Sequence, residues 1–172
     1  YIQTPGGEHY LVDAGSTSES DIGKYRLEPF LKSRAVSSLD YVFVTHGDAD
    51  HISGIEELLA NQKLGIHIRT LVLPPEQVMD EALVGLARLA AEHGTRIVTM
   101  RAGERIVRGR GAVSKEDGAS EKVVMLTCLA PGADYDGETG NDASLVLALR
   151  YGEFDMLFTG DIGKESEEKL LQ

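Results

Sequence analysis

The run Val44-Thr45-His46-Gly47-Asp48-Ala49-Asp50-His51 places four metal-capable side chains within six residues. Asp40–Thr45 (DYVFVT), leading into it, is β-rich and almost continuously apolar, as a strand covered on both faces should be. After it, Ile52, Ile55, Leu58 and Leu59 recur at helical spacing, predicting a helix over Ile52–Ala60. In an extended strand-end, residues 46, 48 and 50 point the same way, and the following turn can return His51 to the same space. Two imidazoles and two carboxylates converging there cost heavily in desolvation and like-charge repulsion unless a cation sits between them. The competing reading is an acidic cap, with Asp48 or Asp50 capping the helix and the histidines exposed. It leaves His46 and the alternation unexplained.

Strand-like and helical runs alternate on either side. His9–Asp13 reads as a short strand, Tyr25–Ala35 as a helix, and Ile68–Leu73 as a strand closed by Pro74 and Pro75. Pro75 suits a first helical turn, so the next helix is expected from there to about His93, with Gly94 ending it. Strands are predicted at Arg96–Met100, Arg105–Arg108, Lys122–Leu129, Ser144–Tyr151 and Phe154–Thr159, the last two joined tightly at Gly152-Glu153. Residues 109–121 read as a loop, and a helix begins at Lys164. The order β-α-β-α-β-α and then mostly β suits layered sheets with helices outside. We therefore expect an α/β sandwich, with residues 1–172 forming one domain.

The chain has 172 residues, with 17 basic and 28 acidic side chains, for a net charge of −11. A broad basic nucleic-acid face would normally make a chain positive. The basic residues are unevenly spread: Arg101, Arg105, Arg108, Arg110 and Lys115 lie close together, with Glu104 among them. This segment is either a solvated hairpin edge or a phosphate-tracking patch. The one cysteine, Cys128, excludes an internal disulfide and a cysteine-rich zinc knuckle, and at a strand end it reads as core. No apolar run is long enough to span a bilayer.

His46-x-Asp48-x-Asp50-His51 resembles the H-x-H-x-D-H signature of the metallo-β-lactamase superfamily, with aspartate replacing the middle histidine. Tyr10-Leu11-Val12-Asp13-Ala14-Gly15 is similar to its strand-end Leu-Ile-Asp-x-Gly, and Thr159-Gly160-Asp161 to its strand-end Gly-Asp. Asn141-Asp142-Ala143-Ser144-Leu145-Val146-Leu147 resembles the Asn-x-x-Ser-Leu-Val-Leu of one branch, the extracytoplasmic domain of ComEC-type DNA-internalisation proteins. The resemblance implies a layered αββα sandwich truncated at both ends, with a strand before Tyr1 and a histidine-bearing segment after Gln172.

It also implies a site. His46 and Asp48 would hold one metal, and Asp50 and His51 a second. Asp161 would bridge them, and Asp50 would orient the attacking water. Asp13 would orient a ligating imidazole, and Asn141 would be a weak ligand. The five ligating side chains should converge at one sheet edge. With Asp48 in place of imidazole the site is richer in oxygen, so of two divalent cations Mn²⁺ or Mg²⁺ is favoured over Zn²⁺. The implied activity is nuclease degradation of the non-imported DNA strand during competence uptake. Single-stranded DNA would be the substrate, held by Arg101, Arg105 and Arg108. The implied setting is a soluble extracytoplasmic domain of a bacterial inner-membrane protein, partnered with its transmembrane channel portion. The alternatives are a hydrolase of small esters, lactones or phosphoesters, including a stand-alone cytoplasmic one, and a non-catalytic channel module with a decayed metal site.

Overall fold

The computed structural model describes residues 1–109, 123–136 and 139–170. Parity along one short strand shows how the layers stack. Val42 and Val44 are buried on a helix-covered side, while Phe43 between them is buried in a second cluster between two sheets. The continuous apolar run of this strand thus reflects two buried faces.

The first sheet contains β1 (Ile2–Gln3) and β2 (His9–Val12), with the two-residue β3 (Ser38–Leu39) leading into β4 (Tyr41–Phe43). Beyond β5 (His67–Ile68), which pairs only with β3, the sheet continues through β6 (Thr70–Leu73) and β7 (Arg96–Thr99). Its order is β1-β2-β4-β6-β7, and β2, β4, β6 and β7 run parallel. Parallel neighbours need long crossovers. These carry α1 (Glu28–Ser33), α2 (Ala49–Asn61) and α3 (Glu81–Glu92), whose apolar faces cover the sheet through Leu31, Ile55, Leu59, Leu83 and Leu86.

The second sheet is antiparallel throughout, in the order β11-β10-β9-β8: Phe154–Phe158, Val146–Tyr151, Val124–Ala130 and Arg105–Arg108. Tyr10, Phe43, Val72, Leu126, Leu147 and Leu149 fill the space between the two sheets. Cys128 belongs to this core, where burial pushes its thiol up to about 12. After β11, α4 (Lys164–Leu170) follows. The result is the expected layered α/β sandwich.

Several boundaries differ from the sequence reading. The helix expected from Ile52 begins at Ala49, with Asp48 at its N-cap position, so Asp50 lies in a helical turn and the 46–48–50 alternation is not realised. The helix expected from Pro75 begins at Glu81, because the Asp80 side chain accepts a hydrogen bond from Leu83 N and caps it there. Residues Glu76–Val78 form only a 3₁₀ turn. The helix expected over Tyr25–Ala35 is a π-helical turn, Gly23–Leu27, running into α1, and Ala35 leaves it with φ of 58°. Of the loop expected at 109–121, all but residue 109 lies outside the described residues.

Gly15 marks a close approach between a strand end and a helix. A Cβ there would sit 2.4 Å from Ala49 O and 2.8 Å from Asp50 O. Those atoms are backbone of the first turn of α2 and cannot swing aside. Gly15→Ala should therefore lower unfolding stability by about 1–3 kcal/mol, the usual cost of overpacking. Urea denaturation read by circular dichroism checks this, and an unchanged midpoint would contradict the close contact.

Candidate metal centre

The carboxyl ends of the parallel strands gather the chemistry-bearing residues on one edge. Asp13 directly follows β2, with φ of 47°, and its amide donates to Phe43 O at 2.9 Å. Its carboxylate reaches across to the neighbouring strand end. Oδ1 accepts from Thr45 N at 2.8 Å, and Oδ2 accepts from Thr45 Oγ1 at 2.7 Å and from His51 Nδ1 at 2.9 Å. The loop is also tied to α2: Ala14 N donates to His51 O at 2.8 Å, and Gly54 N to Ala14 O at 3.0 Å.

His46 is buried, its Nδ1 lying 3.0 Å from Thr45 Oγ1. The two imidazoles lie side by side, with ring centroids 4.0 Å apart. The second sheet supplies the third group. Leu145 N donates to Thr45 O at 2.8 Å, joining the start of β10 to this edge. Gly160, with φ of 57°, then lets the end of β11 close on the same residue, since a Cβ there would fall 2.8 Å from Thr45 Cβ. Asp161 follows, and its Oδ1 lies 3.5 Å from His51 Nε2. Among the described residues, one donor atom each from His46, His51 and Asp161 lie within 4.8 Å of one another.

A family model described as the metallo-beta-lactamase superfamily matches residues 1–171. The chain belongs to this superfamily. Its members are typically metal-dependent hydrolases. The chain is also 31% identical over 150 residues to ComE operon protein 3 of Bacillus subtilis (strain 168). That similarity covers 87% of this chain but only 17% of the relative's length.

The donors present fit the divalent metals that this superfamily binds. His46 Nε2 is buried with no hydrogen-bond partner among the described residues, an arrangement that is costly unless something else meets the nitrogen. Asp48 Oδ2 lies 3.6 Å from it, and a nitrogen of the same ring lies within 4.8 Å of donor atoms of His51 and Asp161. Two imidazole nitrogens and a carboxylate are ordinary ligands for a first-row divalent cation. No helix among the described residues is long and apolar enough to cross a membrane.

Of the five expected ligands, three form this group. Asp48 borders it, with Oδ2 3.6 Å from His46 Nε2, and its side chain makes no capping hydrogen bond. Asp50 is exposed in the first turn of α2, near enough for its charge to act on His51, but it does not join the group. Asn141 is exposed at the start of the turn Asn141–Ala143 and does not join the group. Next to it, Asp142 Oδ1 accepts from Gly163 N at 2.9 Å and steadies the segment after Asp161, a role the sequence reading missed. Asp80 was missed too; its carboxylate fills the space where a side chain at Gly47 would stand.

The three arginines divide. Arg101 lies beyond β7 on the site's edge, paired with Glu104 at 3.4 Å. It lines a cleft of about 280 Å³ with Pro75, Glu76, Gln77, Thr99, Met100 and Glu104. Arg105 is exposed at the start of β8. Arg108 is not brought to the site. At the other end of β8 it pairs with Glu8 at 3.4 Å and donates to Tyr41 Oη, beside the amino ends of β2 and β4.

Burial by itself would lower the pKa of His51. The hydrogen bond and charge of Asp13, with the charges of Asp161 and Asp50, outweigh it and hold the imidazole above its ordinary value. In the metal-free protein the imidazolium therefore contributes stability fully below the unfolded pKa of ~6.5. That contribution is lost as pH rises through the higher folded value. Proton NMR should place the His51 midpoint above that of an unfolded histidine, and Asp13→Asn should lower it. A midpoint unaffected by Asp13→Asn would contradict the stated cause.

Proposed function

We propose that this chain is the hydrolytic portion of a DNA-uptake protein and cleaves phosphodiester bonds of single-stranded DNA. The observation that carries the reading is the grouping of His46, His51 and Asp161, with Asp48 beside them, at the carboxyl ends of the parallel strands. Relatedness to ComE operon protein 3 supports the uptake setting. In that setting the chain is an extracytoplasmic part of a longer membrane protein that includes a channel. The exposed guanidinium groups of Arg101 and Arg105 suit a chain of phosphates better than a small apolar ester or lactone.

His46, His51 and Asp161, with Asp48 beside His46, would hold divalent metal. Bound there, it would polarise the scissile phosphoryl oxygen and neutralise charge that a domain of net −11 would otherwise repel. Asp13 keeps the His51 ring oriented. Asp50, exposed in the first turn of α2 next to His51, would accept a proton from an attacking water. Arg101 and Arg105 would contact phosphates flanking the cleavage point, where each exposed charge adds a salt-sensitive increment. Arg108, held by Glu8 and Tyr41, serves the fold instead.

Asp50→Ala should lower cleavage of end-labelled single-stranded DNA by about 10²–10⁴-fold, the span expected for losing a general base. Circular dichroism should show the variant folded. Retained cleavage would remove Asp50 from the mechanism. Cleavage of a lactone or aryl ester panel but not of DNA would overturn the substrate assignment.

In chelator-stripped protein, manganese should restore the most activity, magnesium less, and zinc least, because Asp48 in place of an imidazole gives the site as many carboxylates as imidazoles. Highest activity with zinc would contradict this.

A further inference from the structure

Thr45 uses every polar atom it has at the metal edge. Its amide donates to Asp13 Oδ1, its carbonyl accepts from Leu145 N, and its hydroxyl lies between Asp13 Oδ2 at 2.7 Å and His46 Nδ1 at 3.0 Å. A hydroxyl has one proton to give, and an ionised carboxylate can only accept. The Thr45 proton therefore goes to Asp13. The hydroxyl oxygen is left facing His46 Nδ1 as an acceptor, which requires Nδ1 to carry hydrogen. A neutral imidazole protonated at Nδ1 has its lone pair on Nε2. That is the buried atom with no hydrogen-bond partner among the described residues.

The same parity holds for the second ring. His51 Nδ1 also faces Asp13 Oδ2, so it too must donate, leaving Nε2 free toward Asp161. One carboxylate thereby fixes both rings in the same tautomer, His51 directly and His46 at one remove. We propose that Thr45 is a positioning residue whose hydroxyl relays the acceptor demand of Asp13 to His46, so that both rings keep their Nε2 lone pairs available to metal. The inference rests on the metal-centre reading and is independent of the substrate.

Valine keeps the shape of threonine but has no hydroxyl, and serine keeps the hydroxyl. Long-range ¹H–¹⁵N spectra of histidine-labelled, metal-free protein, taken at a pH above imidazole titration, report the tautomer directly. Wild type and Thr45→Ser should show His46 as Nδ1–H, Thr45→Val should show it as Nε2–H, and His51 should remain Nδ1–H in all three. Isothermal titration with Mn²⁺ and with Zn²⁺ should show affinity weakened about 10–100-fold in Thr45→Val, the usual effect of losing an outer-shell partner, and restored in Thr45→Ser. Finding His46 as Nε2–H in wild type overturns the relay without reference to any variant. So does an unchanged tautomer or affinity in a folded Thr45→Val. Should wild type bind neither cation, the metal-centre reading fails, while the tautomer spectra still decide the role of Thr45.

Discussion

The carboxylate of Asp13 is the constraint on which the metal edge depends. It accepts three hydrogen bonds, two from Thr45 and one from His51, across separations of 32 and 38 residues. A partly buried carboxylate with fewer donors would be costly, so the backbone of the β2 end, the end of β4 and the first turn of α2 are held in one relative position. The left-handed conformation of Asp13 is part of the same arrangement. Such a conformation costs on the order of 1 kcal/mol for a non-glycine residue, and aspartate tolerates it better than most. It persists here because the three bonds depend on it.

The second constraint is steric. Gly15 and Gly160 are two of the points where the chain has no room for a side chain, one against α2 and the other against Thr45 and Ser144. Each follows or precedes an aspartate of the metal edge by no more than two positions. The charged groups are thus delivered by strand ends that can approach backbone closely, and the rigid layers behind them absorb the strain. The division of the arginines follows from strand direction in the same way. β8 begins near the metal edge and runs away from it, so Arg105 and Arg108 belong to opposite ends of the sandwich.

Much of this was legible in the sequence, for identifiable reasons. β4, β10 and β11 are apolar or alternating runs closed by turn residues, and the structure places them where those signals do. The two-residue strands β1, β3 and β5 are too short to carry any period. α2 was misplaced by three residues because its first turn, Ala49-Asp50-His51, has no apolar face to announce a helix. That error also produced the expectation that Asp50 would align with His46 and Asp48. α3 was misplaced because Pro75 suits a helix start in isolation, while the decisive bond, Asp80 to Leu83, depends on backbone direction. His46 and His51 stood out by their spacing and types, and Asp161 came only from the resemblance of Thr159-Gly160-Asp161 to a family strand end; the structure brings donor atoms of the three within 4.8 Å of one another. Thr45 stood in the quoted motif, yet nothing in a linear sequence tells that its hydroxyl falls between a carboxylate and an imidazole.

The two histidines belong to the first sheet's edge, while Asp161 arrives from the last strand of the second. An ion held by all three would be a bolt through both halves of the sandwich. Loading is then thermodynamically linked to docking of the sheets: any cation that prefers the assembled form stabilises the whole by mass action. A chain emerging during synthesis would have both imidazoles made before the carboxylate of Asp161. Capture by this group would wait until β11 has closed against Thr45. A cation held there would act as a seal on the pairing of the two sheets.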